Sequence, residues 1–283
     1  VLEQVTVPAV RARKRRLGAE PLVMVTAYDT PGAHVVDRAG VDIVLVGDSV
    51  AMVVLGHDDT LGIDTAMMAH HVAAVARSRP RALLVADLPW MSYHASVEDG
   101  IRNAATLVRA GARAVKLEGG RQRVPVVEAI IGAEIPVMGH IGLTPQSLHV
   151  MGGFKVQGRQ ADAVEALVHD ARALADAGCF ALVLEAMPDV VARSVTEAVP
   201  VPTIGIGAGP WCDGQVLVLH DILGLGERGL PRFVRQYANL AADATAAVAA
   251  FAADVRGGGY PSAEESYHVG EGVIGPRRCD RQP

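Results

Sequence analysis

The chain has 283 residues, 50% of them apolar and 4% aromatic, with 26 basic against 31 acidic residues and a formal net charge of −5. Such a length allows one large core of the size of a single α/β barrel, while a mildly acidic balance gives no reason to expect nucleic acid or an anionic membrane as partner. No stretch is long and apolar enough to span a bilayer and the first residues lack a signal peptide's apolar core, so a cytoplasmic protein working on small molecules is expected.

Taken in order, the chain starts with a basic run from Arg11 to Arg16, which reads as a solvated helix face. Apolar runs of strand length then recur at 22–28, 42–48, 82–88, 114–119, 136–142, 181–187, 202–207 and 215–220, with helix-patterned segments between them. They are nearly continuous in Val, Ile, Leu and Ala, as parallel strands buried on both faces should be. Eight strands alternating with helices predict a closed (β/α)8 TIM barrel. It is expected to form a single domain over residues 1–256, with an N-terminal helix and extra C-terminal helices.

An internal repeat supports the barrel. Gly40, Gly111 and Gly178 each follow an alanine at a helix end, where a left-handed cap suits glycine, and each leads into a strand ending in an acid: Asp48, Glu118 and Glu185. Ser96 before Val97-Glu98-Asp99 reads as a helix N-cap, and Thr144-Pro145 as an N-cap and first-turn proline. The Ala-rich segment from Arg232 to Val255 reads as a helix packed outside the barrel. Residues 257–283, opening on Gly257-Gly258-Gly259, are expected to form a mobile tail. Cys179, Cys212 and Cys279 are odd in number and far apart, which fits reduced thiols better than disulfides.

In barrels of this kind the active site lies where the C-terminal strand ends meet. Those ends carry Tyr28-Asp29, Asp48-Ser49, Asp87, Lys116-Leu117-Glu118, His140 and Glu185. Four acids converging on one mouth repel each other unless a cation sits among them, and all-oxygen ligation suits Mg²⁺ or another hard divalent ion. Any single acid could instead cap a helix or pair with Arg or Lys. Lys116 and Glu118, two apart on one strand, share a face; Lys116 could neutralise a substrate carboxylate or form a structural ion pair. His140 could donate to a bound oxygen or be a hydrogen-bonded core residue.

Other motifs are less specific. Gly56-His57-Asp58-Asp59-Thr60 reads as a turn or lid segment rather than a second metal cluster. The neighbours His70 and His71, on a helix, point different ways. Gly205-Ile206-Gly207-Ala208-Gly209 has the look of a phosphate cradle, but close backbone packing needs the same glycines.

Several of these segments form a recognisable series: Val46-Gly47-Asp48-Ser49, Gly56-His57-Asp58, Ala86-Asp87-Leu88-Pro89, Val115-Lys116-Leu117-Glu118-Gly119-Gly120, Gly139-His140-Ile141-Gly142-Leu143-Thr144-Pro145-Gln146-Ser147, Gly152-Gly153-Phe154-Lys155-Val156-Gln157-Gly158-Arg159 and Gly205-Ile206-Gly207-Ala208-Gly209. Together they resemble the ketopantoate hydroxymethyltransferase family, from about Val23 to His268. The resemblance implies a barrel of the phosphoenolpyruvate/isocitrate lyase-like kind. It also implies transfer of a hydroxymethyl group from 5,10-methylenetetrahydrofolate to 3-methyl-2-oxobutanoate, giving ketopantoate for pantothenate synthesis. By the same resemblance Asp48 and Asp87 are metal ligands with Glu118 in the metal shell, Ser49 and Lys116 contact the substrate carboxylate, and Glu185 is the catalytic base. Asp48, Asp87 and His140 are expected to join Ser49 and Lys116 in binding substrate, Mg²⁺ or another divalent ion is the expected metal, and the resemblance implies a homodecamer.

These roles suit the chemistry. A 2-oxo acid can chelate a metal that stabilises the enolate formed when C3 loses its proton, and a base buried on an apolar strand suits proton abstraction. A catalytic cysteine in the loop near the fourth strand would favour a related metal-dependent lyase of the phosphoenolpyruvate and isocitrate lyase kind, and none stands there. A barrel kept only for binding would be expected to have lost one of the four acids. Ala51, Leu61-Gly62-Ile63-Asp64 and His70 depart from the family pattern, all in or after the loop beside Asp48, and leave room for a related 2-oxo acid as acceptor.

Overall fold

The structure, a computed structural model, describes residues 3–14, 20–226 and 229–269. Eight parallel strands, β1 (Leu22–Thr26), β2 (Ile43–Val46), β3 (Leu83–Asp87), β4 (Ala114–Glu118), β5 (Val137–Gly142), β6 (Ala181–Glu185), β7 (Thr203–Ile206) and β8 (Gly214–Leu217), close into a barrel in sequence order, with β8 paired to β1. Every expected strand is present, trimmed at its ends, with β8 starting one residue earlier than expected. The helices are α1 (Val7–Arg11), α2 (Thr30–Arg38), α3 (Val50–Val53), α4 (Thr65–Arg77), α5 (Val97–Ala110), α6 (Val124–Gly132), α7 (Leu148–Met151), α8 (Ala161–Asp176), α9 (Asp189–Ala198), α10 (Leu219–Leu223) and α11 (Leu240–Gly257).

Strand alternation explains both the core and the site. Inward positions are apolar at the start of a strand and polar at its end: Leu83, Val85 and Asp87 on β3, Ala114, Lys116 and Glu118 on β4, Met138 and His140 on β5, Ala181, Val183 and Glu185 on β6. The lower layers pack as one apolar cluster inside the barrel, while Leu84, Leu117, Leu182 and Leu184, on the opposite faces, pack with the surrounding helices in a second cluster. Truncating a fully buried leucine such as Leu182 to alanine should cost about 2–5 kcal/mol. The inward polar side chains of β3 to β6 therefore stand at the mouth end.

Local signals place the helices. Asp29, Asp64 and Ser96 accept from the backbone N–H three residues on, at 2.7, 2.8 and 3.1 Å, and so start α2, α4 and α5. Thr144 occupies the expected cap position, but of a 3₁₀ turn over Pro145–Ser147, and its hydroxyl makes no capping bond. Gly111 ends α5 at φ 122°, where an added Cβ would lie 2.4 Å from that of Ala76.

The basic run near the N-terminus is more than a solvated face. Val10 of α1 joins the inner cluster, Lys14 Nζ lies 2.9 Å from Asp213 Oδ2 and 2.7 Å from Thr196 O, and Arg13 pairs with Asp42 at 3.5 Å. A buried Asp213 and a half-buried Asp42 on the chain that follows recruit these cations, a pairing invisible in the run itself; Arg15 and Arg16 lie outside the described residues.

The chain divides into two compact units, Val1–Tyr237 and Ala238–Pro283. The barrel lies in the first. The second contains α11, which begins eight residues later than the expected helix and ends at Gly258 in a left-handed conformation, φ 74°. Of the expected mobile tail, residues 270–283, Cys279 among them, lie outside the described residues. Cys179 and Cys212 are buried free thiols. No helix among the described residues is long and apolar enough to cross a membrane.

Candidate active site

Asp48, Ser49, Asp87, Lys116, Glu118, His140 and Glu185, the candidates read from the sequence, all line one cavity of about 820 Å³ at the C-terminal strand ends. Parallel pairing brings them together: Asp87 stands beside Lys116, and Glu118 beside His140, in the ladder. Asp48 lies just past β2, where its backbone N–H donates to Asp87 Oδ2 at 3.0 Å. Gly47 permits that approach, since a Cβ there would come 2.9 Å from Ser49 Oγ and 3.4 Å from Asp87 Oδ2.

Each of the three deepest acids has one oxygen held by a neutral donor. Asp48 Oδ2 accepts from Gln146 Nε2 at 2.8 Å, Asp87 Oδ2 from the Asp48 N–H, and Glu118 Oε2 from the Gln146 N–H at 2.9 Å. Two of the other oxygens face one ammonium, with Lys116 Nζ 3.1 Å from Asp87 Oδ1 and 4.0 Å from Glu118 Oε1. Three carboxylates thus share one buried lysine, and the electrostatics show the excess. Burial first, then the charges of Asp87 and Glu118, push Asp48 well above the usual carboxylate range; burial likewise raises Asp87 against the pull of Lys116. Glu118 falls below that range, because bonds from His140 and Gln146 and the charge of Lys116 outweigh its burial. Lys116 is held protonated by the acids despite its own burial.

His140 links this group to Glu185. Its Nδ1 lies 3.1 Å from Lys116 Nζ and 3.4 Å from Glu118 Oε1, and its Nε2 3.1 Å from Glu185 Oε2. Burial and Lys116 oppose a charge on the imidazole, but the two flanking carboxylates prevail and raise its pKa to about 9. Glu185 was expected to be buried on an apolar strand; its side chain keeps 16% exposure, against 3% for Asp87 and Glu118, because it sits one level nearer the mouth.

The donor set fits a hard divalent ion, with oxygen ligands, excess buried negative charge, and an Asp87 Oδ1 that has no hydrogen bond of acceptable angle although Lys116 is near. No three His, Cys, Asp or Glu side chains among the described residues are already arranged around one metal position. Ligation would therefore draw on oxygens now facing Lys116.

Three residues were given no site role from sequence. Tyr28, two residues past β1, bonds Ser49 Oγ through its hydroxyl at 2.8 Å. Tyr93 and Gln146 lie behind the acids, the Tyr93 hydroxyl donating to Gln146 Oε1 at 2.7 Å. The signal for Gln146 was its place directly after Thr144-Pro145 at a strand end; Tyr93 carried none.

The remaining motifs resolve as packing. A Cβ on Gly207, at φ 61°, would come 2.7 Å from the Phe233 ring, one on Gly205 2.9 Å from Cys212 Sγ, and one on Gly209 2.4 Å from Asp189 Cβ, so close packing accounts for these three glycines. Departures in the loop after Asp48 have local uses: Asp64 caps α4, Gly62 leaves space for the His57 ring, and Ala51 is fully buried in α3. His71 Nδ1 bonds Tyr28 O at 2.9 Å, while His70 meets it only edge to ring.

A family model described as ketopantoate hydroxymethyltransferase matches residues 4–263. Proteins named 3-methyl-2-oxobutanoate hydroxymethyltransferase are similar over nearly the whole chain. That of Methylobacterium sp. (strain 4-46) is 56% identical over 95% of this chain and 92% of its own, and that of Moorella thermoacetica 55% over 93% and 98%. Among solved structures, phosphonopyruvate hydrolase in complex with oxalate and Mg²⁺ superposes with a TM-score of 0.58 at 16% identity, covering 92% of each chain. The phosphoenolpyruvate mutase/isocitrate lyase superfamily member 2,3-dimethylmalate lyase gives 0.55 at 16%, covering 94% of this chain and 93% of its own. At such identities the likeness speaks for the fold.

Proposed function

The chain belongs to the ketopantoate hydroxymethyltransferase family of one-carbon transferases, and from that premise we propose that it moves a hydroxymethyl group from 5,10-methylenetetrahydrofolate to 3-methyl-2-oxobutanoate, forming ketopantoate for pantothenate synthesis. The observation that carries this reading is the clustering of Asp48, Asp87, Glu118, Lys116, His140 and Glu185 on one cavity floor.

Asp48 and Asp87, with Glu118 beside them, would hold Mg²⁺, whose Lewis acidity makes the C3 proton of a 2-oxo acid removable. Lys116 and the Ser49 hydroxyl, oriented by Tyr28, bind the substrate carboxylate. Glu185 takes the C3 proton, and His140, 3.1 Å away, orients it and offers a positive partner for the acids and for developing charge on oxygen. The carbon so activated attacks the one-carbon unit released by the folate; both bonds from that carbon to the folate nitrogens break, water supplies the hydroxyl oxygen, and tetrahydrofolate leaves. A 2-oxo acid with so few atoms fills only part of 820 Å³, and Phe154, Val156, Leu230 and Phe233 make the outer cavity apolar enough to receive a larger donor. A cytoplasmic homodecamer, working without nucleic acid or membrane, completes the proposal.

The test is an assay of purified protein with 3-methyl-2-oxobutanoate, methylenetetrahydrofolate and Mg²⁺. Ketopantoate should form and EDTA should abolish it; no product, or full turnover in EDTA, would refute the reading.

A further inference from the structure

Gln146 is buried behind the acids, and its side chain uses every polar hydrogen it has. Its Nε2 donates to Asp48 Oδ2 at 2.8 Å and to Leu88 O at 3.0 Å. Its Oε1 accepts from the Tyr93 hydroxyl at 2.7 Å, and that hydroxyl accepts from the Glu118 N–H at 3.0 Å. The Gln146 backbone N–H donates to Glu118 Oε2 at 2.9 Å, closing a ring through Glu118, Tyr93 and Gln146. Two acceptors on one side and a hydroxyl on the other leave the amide a single orientation.

The consequence falls on the carboxylates. Of the three neutral bonds that each hold one oxygen of Asp48, Asp87 and Glu118, two come from Gln146. They leave Asp48 Oδ1 and Glu118 Oε1 outside these bonds, the latter 3.4 Å from His140 Nδ1 and 4.0 Å from Lys116 Nζ. A residue that only filled core space would have no need to bind both acids, with its side chain and its main chain together.

We propose that Gln146 is a positioning residue that holds Asp48 and Glu118 with one oxygen each turned toward a divalent cation, with Tyr93 setting the amide. This rests on the metal reading above. Removing outer partners of metal ligands typically weakens metal affinity about 10–100-fold.

The test uses the full chain and Mn²⁺ as probe, with binding measured by calorimetry and folding by thermal melting in EDTA. Gln146→Leu keeps the volume and the backbone bond to Glu118 but loses the donor to Asp48. It should melt cooperatively and bind Mn²⁺ about 10–100-fold more weakly than wild type. Tyr93→Phe, which leaves Gln146 in place, should weaken Mn²⁺ by a smaller factor and serves as the reporter if Gln146→Leu does not fold. Wild-type Mn²⁺ affinity in the folded variant, whatever its melting temperature, would show a purely structural glutamine and overturn the proposal. Absence of Mn²⁺ binding by wild type would overturn the metal reading, and the proposal with it.

Discussion

His140 Nε2 lies 3.1 Å from Glu185 Oε2, and the same ring reaches Glu118 Oε1 through Nδ1 at 3.4 Å, so one imidazole spans the proposed base and the proposed metal shell. Glu185→Gln keeps the shape and the contact but removes the basic oxygen. It should leave substrate and metal binding within about twofold of wild type and slow exchange of the C3 proton with solvent deuterium by about 10²–10⁴-fold. Wild-type exchange in that variant would take Glu185 out of the role.

Lys116 is the lysine that offsets three buried acids. Lys116→Met should lower stability in EDTA by about 3–5 kcal/mol, the usual cost of breaking a buried pair. Mg²⁺ should recover more of the melting temperature in this variant than in wild type, because it replaces the lost positive charge. An equal Mg²⁺ shift in both proteins would argue that the ion binds away from these acids.

A Cβ on Gly47 would press on Ser49 Oγ at 2.9 Å and touch Asp87 Oδ2 at 3.4 Å. Gly47→Ala should cost about 1–3 kcal/mol by overpacking and raise KM for the 2-oxo acid by displacing Ser49. Chemical denaturation and steady-state kinetics check both, and unchanged KM in a destabilised variant would separate Gly47 from substrate binding.

Phe233 sits at the cavity mouth, 40% exposed and seated on Gly207. Phe233→Ala should raise KM for the folate donor about fivefold, equivalent to about 1 kcal/mol of lost aromatic contact, while KM for the 2-oxo acid stays put. A rise confined to the 2-oxo acid would put the donor elsewhere.

The eight strands and the mouth acids were readable from one dimension. A strand buried on both faces must be apolar almost throughout, so an acid at its end stands out, and the left-handed glycines at 40, 111 and 178 mark where each repeat turns. The pairing of acids with Lys14 and Arg13 was not readable, nor was the use of the glycine run to seat Phe233, since each depends on segments far apart in the chain.

By itself, then, the amino-acid order determined the barrel, the end of it that carries chemistry, and which side chains stand there, because burial and turn geometry act through neighbours in sequence. Tertiary structure decided what those side chains do to each other. Gln146 meets Asp48 across 98 positions, and Glu118 meets Tyr93 across 25. Such bonds exist only once closure of the barrel sets the height of each strand end, and they choose which oxygen of each acid is held by a neutral donor.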